Sequence, residues 1–241
     1  MTSFAPDQNS CQGQPLVLAS RSPRRRLLLD EAGLTHTAHH PGLEDADLKP
    51  GRVSPEQWVA ALAYLKAAAW LHHNPDAPAT IVLGADTAIV KDADLIGTPT
   101  SPAEAAAILQ RLANGSHTVV SGVALIESTT GRRTFFVDRA SVSVGNLAQD
   151  TIADYTASNA WQGKAGGYNL RERQLAGWPL HHSGEPSTVM GLPMNILPAR
   201  LAAFQAASHP LKTPPPIQPA TQPATLPVHH PKEVKSCQTH S

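Results

Sequence analysis

The sequence predicts an α/β fold built around a mixed sheet. Short apolar segments of strand length alternate with longer segments that carry helix signals, which is typical of α/β proteins. Three helix segments begin with Ser-Pro, at Ser22, Ser54 and Ser101, where serine can cap the helix and proline suits its first position. Two apolar segments flank Thr130-Gly131, which predicts an antiparallel hairpin and therefore a mixed sheet rather than a parallel one.

The first half of the folded region contains two strands and two helices. Residues 15–20 form a short apolar strand, and Gly33 ends the helix 22–33 that follows. A second apolar strand covers 80–90, after the long amphipathic helix 54–73. The apolar face of this helix carries Val59, Leu62, Leu65 and Ala69.

The second half adds a hairpin and three helices. A Ser-Pro helix over 101–115 ends at a glycine, and the hairpin strands 117–128 and 132–144 follow it. A helix over 148–159 and a closing helix over 198–208 flank a Gly-rich segment that is expected to hold short strands.

Composition excludes several classes of protein. The chain of 241 residues has 19 Lys+Arg and 19 Asp+Glu, so no basic field favours nucleic acid as a partner. No apolar run approaches the length of about 18 residues that a membrane span needs, and the first residues lack the basic start and apolar core of a secretory signal. The two cysteines, Cys11 and Cys237, lie in polar flanks, which favours a reducing, cytoplasmic location.

The folded domain is expected over residues 15–207. Residues 1–14 are polar and are predicted to be disordered. Residues 208–241 hold eight of the 22 prolines and few large apolar side chains, so they cannot bury enough surface to offset the entropy of ordering and are predicted to form a disordered tail. The His229-His230 pair there is more typical of solvated tail residues than of a metal site.

The segment 18–26, LASRSPRRR, predicts an anion site. A strand leads through a tight turn into a helix, whose free N–H groups attract anions. Arg24 and Arg25 place guanidinium groups suited to phosphate near the same point, and Ser20 and Ser22 add hydroxyl groups. The alternative is a charged surface helix with a Ser-Pro cap.

Asp86 raises a different question, because a carboxylate in an apolar strand is costly unless it has a partner. It lies late in the strand 80–90, near where α/β sheets usually present a site. A functional role and a structural ion pair are both open from the residue alone. Lys66, on the helix 54–73, is a third candidate, although a single lysine on such a helix is usually solvated.

Six segments resemble, in order, the signature blocks of Maf proteins, nucleoside triphosphate pyrophosphatases once called septum formation inhibitors. The resemblance spans about residues 16–204 and departs from the block H-x-V-x-T-G-V-A-L by having Ser121 for threonine. The matching segments are LASRSPRRRLLLDEAGL (18–34), LAYLKA (62–67), VLGADTAIV (82–90), HTVVSGVAL (117–125), GKAGGYNL (163–170) and VMGLPM (189–194).

This resemblance implies a Maf/ITPase-like fold, a mixed central sheet in two lobes around a nucleotide-binding cleft, commonly as a homodimer. The implied reaction cleaves the α–β phosphoanhydride of a nucleoside triphosphate and yields a monophosphate and pyrophosphate, with a divalent cation, Mg²⁺ or Mn²⁺. The Gly-Ala-Asp-Thr form of the block at Asp86 resembles the dTTP/UTP branch of the family. A modified nucleotide is also possible as substrate.

The resemblance also implies roles for individual residues. Asp86 would hold the metal or orient the attacking water, with Lys66 and Lys164 as the other catalytic residues. Glu44 and Asp45 would join Asp86 around the metal. The implied phosphate ligands are Ser20, Ser22, Arg24 and Arg25, and Arg171 is predicted as a further phosphate ligand from its charge.

Several positions depart from the family pattern. Thr98 stands where the family usually has a lysine, the order Glu44-Asp45 reverses the usual pair, and Arg171 replaces a frequent glutamine. Arg171 is expected to supply the missing charge from the other side of the cleft. The segment 176–193 also differs. The alternative function is therefore a catalytically weak nucleotide-binding regulator, whose Pro-rich tail recruits partners through polyproline II segments.

Overall fold

The structure is a computed structural model that describes residues 14–43, 48 and 51–207. Its strands are β1 Leu16–Ala19, β2 Thr37–His39, β3 Ile81–Lys91, β4 Asp94–Ile96, β5 Gly115–Glu127, β6 Arg133–Val144 and β7 Leu180–Ser183. Its α-helices are α1 Pro23–Glu31, α2 Pro55–His73, α3 Pro102–Leu112, α4 Gln149–Ala157, α5 Leu170–Leu175, α6 Pro186–Met190 and α7 Leu197–Ala206. Apart from Gln14, the predicted flanks lie outside the described residues, and with them Cys11, Cys237, His229 and His230.

The strands form one mixed sheet in the order β2-β1-β3-β5-β6-β7, and β4 pairs with β3 at its far end. β1 is parallel to both of its neighbours, whereas all other pairs are antiparallel. The predicted α/β class with a mixed central sheet is therefore confirmed. None of the helices in the described ranges is long and apolar enough to span a bilayer.

The Ser-Pro signals mark helix starts as predicted, with one difference. Ser54 forms a full capping box with Gln57, and Ser101 accepts a hydrogen bond from the backbone N–H of Glu104. Ser22 precedes α1, but its side chain makes no capping bond. The hairpin between β5 and β6 is confirmed, and Gly131 adopts a left-handed φ of 68° in its turn.

Two local predictions were wrong. α3 ends at Leu112, and the chain reverses through Asn114 at a φ of 54°, so that Gly115 begins β5 instead of closing the helix. Leu65 does not belong to the buried face of α2, since it is 39% exposed. The face that packs on the sheet carries Val59, Leu62, Ala63, Lys66, Ala67 and Trp70.

The long strands β3 and β5 contribute residues to different hydrophobic clusters along their length. Leu83 in β3 and Leu125 in β5 belong to a cluster with α1 and α7, whereas Ile89 and Val119, further along the sheet, belong to a cluster with α3 and α4. Asp86 lies between the two halves of β3.

Two glycines let α2 lie directly on the sheet. A Cβ at Gly84 in β3 would overlap the backbone carbonyl oxygen of Ala63, and one at Gly122 in β5 would lie 2.7 Å from the carbonyl carbon of Val59. Since backbone atoms of a packed helix cannot move aside, both positions require glycine. The close approach brings the side chains of α2 within reach of β3.

We expect Gly84→Ala to lower the free energy of unfolding by at least about 2 kcal/mol, because the added methyl group must push α2 off the sheet. Gly115→Ala is the matched control: it is also a strand glycine, but the nearest atom is the flexible end of Lys91, so its effect should be small. Urea unfolding of both variants measures the difference. Equal stability of the two variants would contradict the close packing.

Candidate active site

A cavity of about 740 Å³ lies beside the middle of β3. Its walls come from the turn after β1, the inner face of α2, the middle of β3, the segment after β4 and the segments around Lys164 and Gly191. This volume lies within the range of about 300–1,000 Å³ that is usual for sites of small molecules.

The cavity brings together most of the side chains that the sequence nominated. One of them, Arg171, does not line it, and Glu44 and Asp45 lie outside the described residues. The predicted site residues that line the cavity are Ser20, Ser22, Arg24, Arg25, Lys66, Asp86 and Lys164.

Asp86 is paired with Lys66 across the interface between β3 and α2. Lys66 Nζ lies 2.6 Å from Asp86 Oδ1, and both side chains are only 10% exposed. Alternate residues of β3 face α2, so Asp86 follows Gly84 on that face. The glycine admits the helix, and the helix brings Lys66 to the carboxylate. The ion pair explains how the strand tolerates a charge, and its position in the cavity leaves it available for chemistry.

Arg25 ties three parts of the site together. It is 9% exposed, and its guanidinium donates hydrogen bonds to Gly191 O at 3.0 Å, Ser20 Oγ at 3.1 Å and Thr87 Oγ1 at 3.2 Å. Ser20 Oγ also accepts the backbone N–H of Ser22 at 3.2 Å. The planar fork of arginine suits such divergent contacts. Arg25 therefore orders the turn after β1 as well as placing a positive charge in the cavity.

A chain of hydroxyl groups, which the sequence did not predict, continues from Arg25 into the sheet. Ser121 donates to Thr188 O at 2.8 Å, so the Thr87 hydroxyl, 2.8 Å from Ser121 Oγ, must donate to Ser121. Thr188 in turn donates to Asp138 Oδ2 at 2.6 Å. The hydroxyl residues Thr87 and Ser121 are visible in the sequence, and the pairing of β3 with β5 places them opposite each other. The chain fixes the rotamer of Thr87 beside Asp86.

The part of the cavity around Gly163 holds two further cations and one acid. Lys164 forms an ion pair with Glu172, and Arg24 Nη2 donates to Gly163 O at 3.3 Å. Burial lowers the pKa of the Arg24 guanidinium, and the nearby Glu172 carboxylate opposes that shift. Arg24 nevertheless stays charged at neutral pH, as arginine does in proteins. Glu172, another residue that the sequence did not suggest, partly neutralises this part of the cavity.

Arg171 lies on the outer side of α5. Its Nη1 is 3.0 Å from Glu31 Oε1, and 58% of its side chain is exposed. Consecutive residues of a helix point about 100° apart, so Glu172 lines the cavity while Arg171 faces α1. An exposed pair of this kind contributes about 0–1 kcal/mol. The structure does not bring Arg171 to the other cations.

The carboxylates suit a cation that is held mainly by its substrate. No group of three or more potential metal ligands occurs among the described residues, and the acidic side chains lining the cavity there are Asp86 and Glu172. Mg²⁺ commonly binds through one or two carboxylates together with phosphate oxygens and waters. Asp86 therefore fits a metal that arrives with a phosphorylated ligand.

His117 and Tyr168 form a buried polar contact between β5 and the cavity wall. His117 Nε2 lies 2.7 Å from the Tyr168 hydroxyl, and His117 is 3% exposed. Its Nδ1 has no hydrogen-bond partner. Burial, and secondarily the charge of Lys91, lowers the pKa of His117 to about 4, so the ring is neutral at neutral pH.

Stability should therefore decrease in mild acid. Between a pH of about 6.5 and about 4 the unfolded chain binds a proton at His117 that the folded chain does not, so the free energy of unfolding should fall by up to about 1.4 kcal/mol per pH unit. The double variant His117→Phe with Tyr168→Phe removes this proton without leaving an unpaired hydroxyl, and its stability profile should be flatter there. Parallel profiles for the two proteins would contradict the lowered pKa.

A mixed α/β sheet with several cations and one buried carboxylate around a cavity defines a site for a polyanionic substrate. Residues 15–204 match the family model described as "Maf-like protein". The chain therefore belongs to the Maf family. The family resemblance of the sequence is thereby confirmed.

Curated relatives of the chain carry the name dTTP/UTP pyrophosphatase. The protein from Salinibacter ruber is 35% identical over 199 residues, which cover 81% of this chain and 92% of the relative. Those from Geobacillus sp. and Shewanella denitrificans are each 37% identical, covering 75% and 78% of this chain and 92% and 95% of the relatives. They confirm the predicted class of enzyme, a hydrolase of phosphoanhydride bonds.

A solved structure of a nucleoside-triphosphatase, a dITP/XTP pyrophosphatase from Mycobacterium abscessus, is also similar. It is 18% identical, covers 54% of this chain and 74% of its own, and has a TM-score of 0.33. This likeness is too distant to support any argument about the site.

Proposed function

We propose that this protein hydrolyses a nucleoside triphosphate to the monophosphate and pyrophosphate, with dTTP and UTP as the substrates. The single observation that carries the proposal is the Asp86–Lys66 pair at 2.6 Å in the same cavity as Arg24, Arg25 and Lys164. The relatives named dTTP/UTP pyrophosphatase support the choice of base.

Arg24, Arg25 and Lys164 would together hold the triphosphate. Arg25 has little freedom, because three hydrogen bonds fix it, so it offers a preorganised charge. Arg24 lies at Gly163, the residue before Lys164. The substrate would compete with Glu172 for Lys164. Together the three cations would neutralise the charge that develops on the leaving pyrophosphate.

Asp86 is suited to orient or deprotonate the attacking water. Its carboxylate is buried, and the ion pair with Lys66 fixes its direction. A divalent metal held by Asp86 and the substrate phosphates would act as a Lewis acid and lower the pKa of a bound water. We include Glu44 and Asp45 in this proposal as candidate further ligands, and we also propose a cytoplasmic homodimer.

A nucleotide panel tests the function. The purified chain is incubated with dTTP, UTP, dCTP, dATP, dGTP and a modified pyrimidine triphosphate, with Mg²⁺ or Mn²⁺, and pyrophosphate and monophosphate are quantified. We expect equimolar products, fastest from dTTP and UTP. Release of orthophosphate and nucleoside diphosphate would contradict cleavage at the α–β bond. Binding without turnover would support the alternative of a nucleotide-binding regulator.

A further inference from the structure

Three residues of α2 form a continuous stripe along the cavity. Trp58, Leu62 and Lys66 are spaced by four residues, which places them on one side of a helix, and all three line the cavity. Lys66 marks the end where Asp86 lies. At a rise of about 1.5 Å per residue, Trp58 lies roughly 12 Å further along the helix axis.

Trp58 differs from the other tryptophans of the chain. Trp70, Trp161 and Trp178 are buried at 7%, 3% and 9% exposure, whereas Trp58 is only half-buried at the cavity wall. The other aromatic ring among the described lining residues is Tyr168, which is 7% exposed and bonded to His117. Trp58 is therefore the aromatic surface that the cavity offers to a ligand.

Several apolar residues line the same cavity as Trp58. Leu95 in β4 packs against the small cluster around Val59, the residue after Trp58, so both leucine and indole lie at the same end of α2. Pro41 and Leu43 from the segment after β2 line the cavity as well. Lys66 is the single lysine of α2, which contains no arginine, and the other cations of the cavity come from outside this helix. Polarity therefore changes along the stripe from Lys66 to Trp58.

We propose that the nucleobase of the substrate stacks on the indole of Trp58, with Leu95 beside it, while the phosphates occupy the cationic end. This inference rests on the proposed function and assigns the base-binding part of its site. The separation of Trp58 and Lys66 along α2 is of the order of that between the base and the phosphates of an extended nucleotide. Stacking on an aromatic face tolerates different bases, because every base has a π-face.

The test compares two probes that share phosphates but not a base. Binding of the α,β-methylene analogue of dTTP, which resists hydrolysis, and of inorganic tripolyphosphate is measured by calorimetric titration with Mg²⁺. In Trp58→Ala the dissociation constant of the analogue should rise about 5- to 150-fold, the loss expected for one base stack. That of tripolyphosphate should change less than about twofold, since it makes no stack.

Two further variants sharpen the comparison. Trp58→Phe keeps a ring and should retain most of the affinity for the analogue. Leu65→Ala changes an exposed side chain on the same helix and should affect neither probe. Equal affinity of the analogue for wild type and Trp58→Ala would overturn the proposal, as would equal losses for both probes. A wild-type chain that binds neither probe would overturn the proposed function together with this inference.

Discussion

Asp86→Asn should reduce pyrophosphate release by roughly 10²-fold or more, because the amide keeps the shape of the side chain and loses the charge that activates water or holds a metal. The expected loss is in kcat more than in KM, since Arg24, Arg25 and Lys164 still hold the phosphates. Initial rates with dTTP at saturating Mg²⁺ measure it. Turnover at close to the wild-type rate would show that Asp86 takes no part in the reaction.

The structure also predicts that Asp86→Asn lowers the stability of the protein. Lys66 and Asp86 are each 10% exposed, so neutralising Asp86 takes from a buried ammonium group the carboxylate that lies 2.6 Å away. Breaking a buried pair from one side usually costs about 3–5 kcal/mol. We therefore expect Asp86→Asn to be less stable than wild type.

The double variant Lys66→Met with Asp86→Asn separates the two effects. Removing both charges avoids a buried ammonium group facing a neutral amide, so the double variant should recover much of the lost unfolding free energy. Its activity should stay as low as that of Asp86→Asn. Recovery of activity together with stability would mean that the pair is structural only.

How far the sequence predicts this site depends on the residue. The burial of Asp86 follows from its apolar neighbours, but its partner does not, because Lys66 falls on the packed face of α2 only when Gly84 and Gly122 let the helix approach. The pattern of large apolar residues instead suggested a face through Leu65, which is exposed. A helix packed through small residues is poorly marked by hydrophobic periodicity.

The cavity walls also contain contacts that the sequence does not predict. Thr87 and Ser121 meet because of the strand register between β3 and β5, which depends on pairing distant in sequence. Arg171 and Glu172 are adjacent in sequence, yet one faces Glu31 and the other the cavity. In a helix as short as α5 no periodic signal tells these directions apart. The sequence can therefore predict that charged residues lie near a motif, but it cannot predict which side of a short helix each of them occupies.

Thr98→Lys should raise kcat/KM for dTTP by about 5- to 150-fold. Thr98 is exposed in the cavity wall, where the family pattern has a lysine, and Gly166 N donates to Gly97 O at 2.9 Å, which ties its segment to that of Lys164. A cation there would add a charge-assisted phosphate contact of about 1–3 kcal/mol. Thr98→Met, with similar length and no charge, is the control and should bring no gain.

The sequence suggested that Arg171 supplies the missing charge, but Arg171 pairs with Glu31 outside the cavity. This pairing predicts that substitutions at positions 98 and 171 act independently of each other. The gain from Thr98→Lys should therefore be the same in the Arg171→Gln background, and Arg171→Gln alone should leave kcat/KM within about twofold of wild type, as for an exposed ion pair. Steady-state kinetics of the four combinations form a double-mutant cycle. A large loss in Arg171→Gln that Thr98→Lys restores would show instead that Arg171 swings into the cavity and binds phosphate when substrate is present.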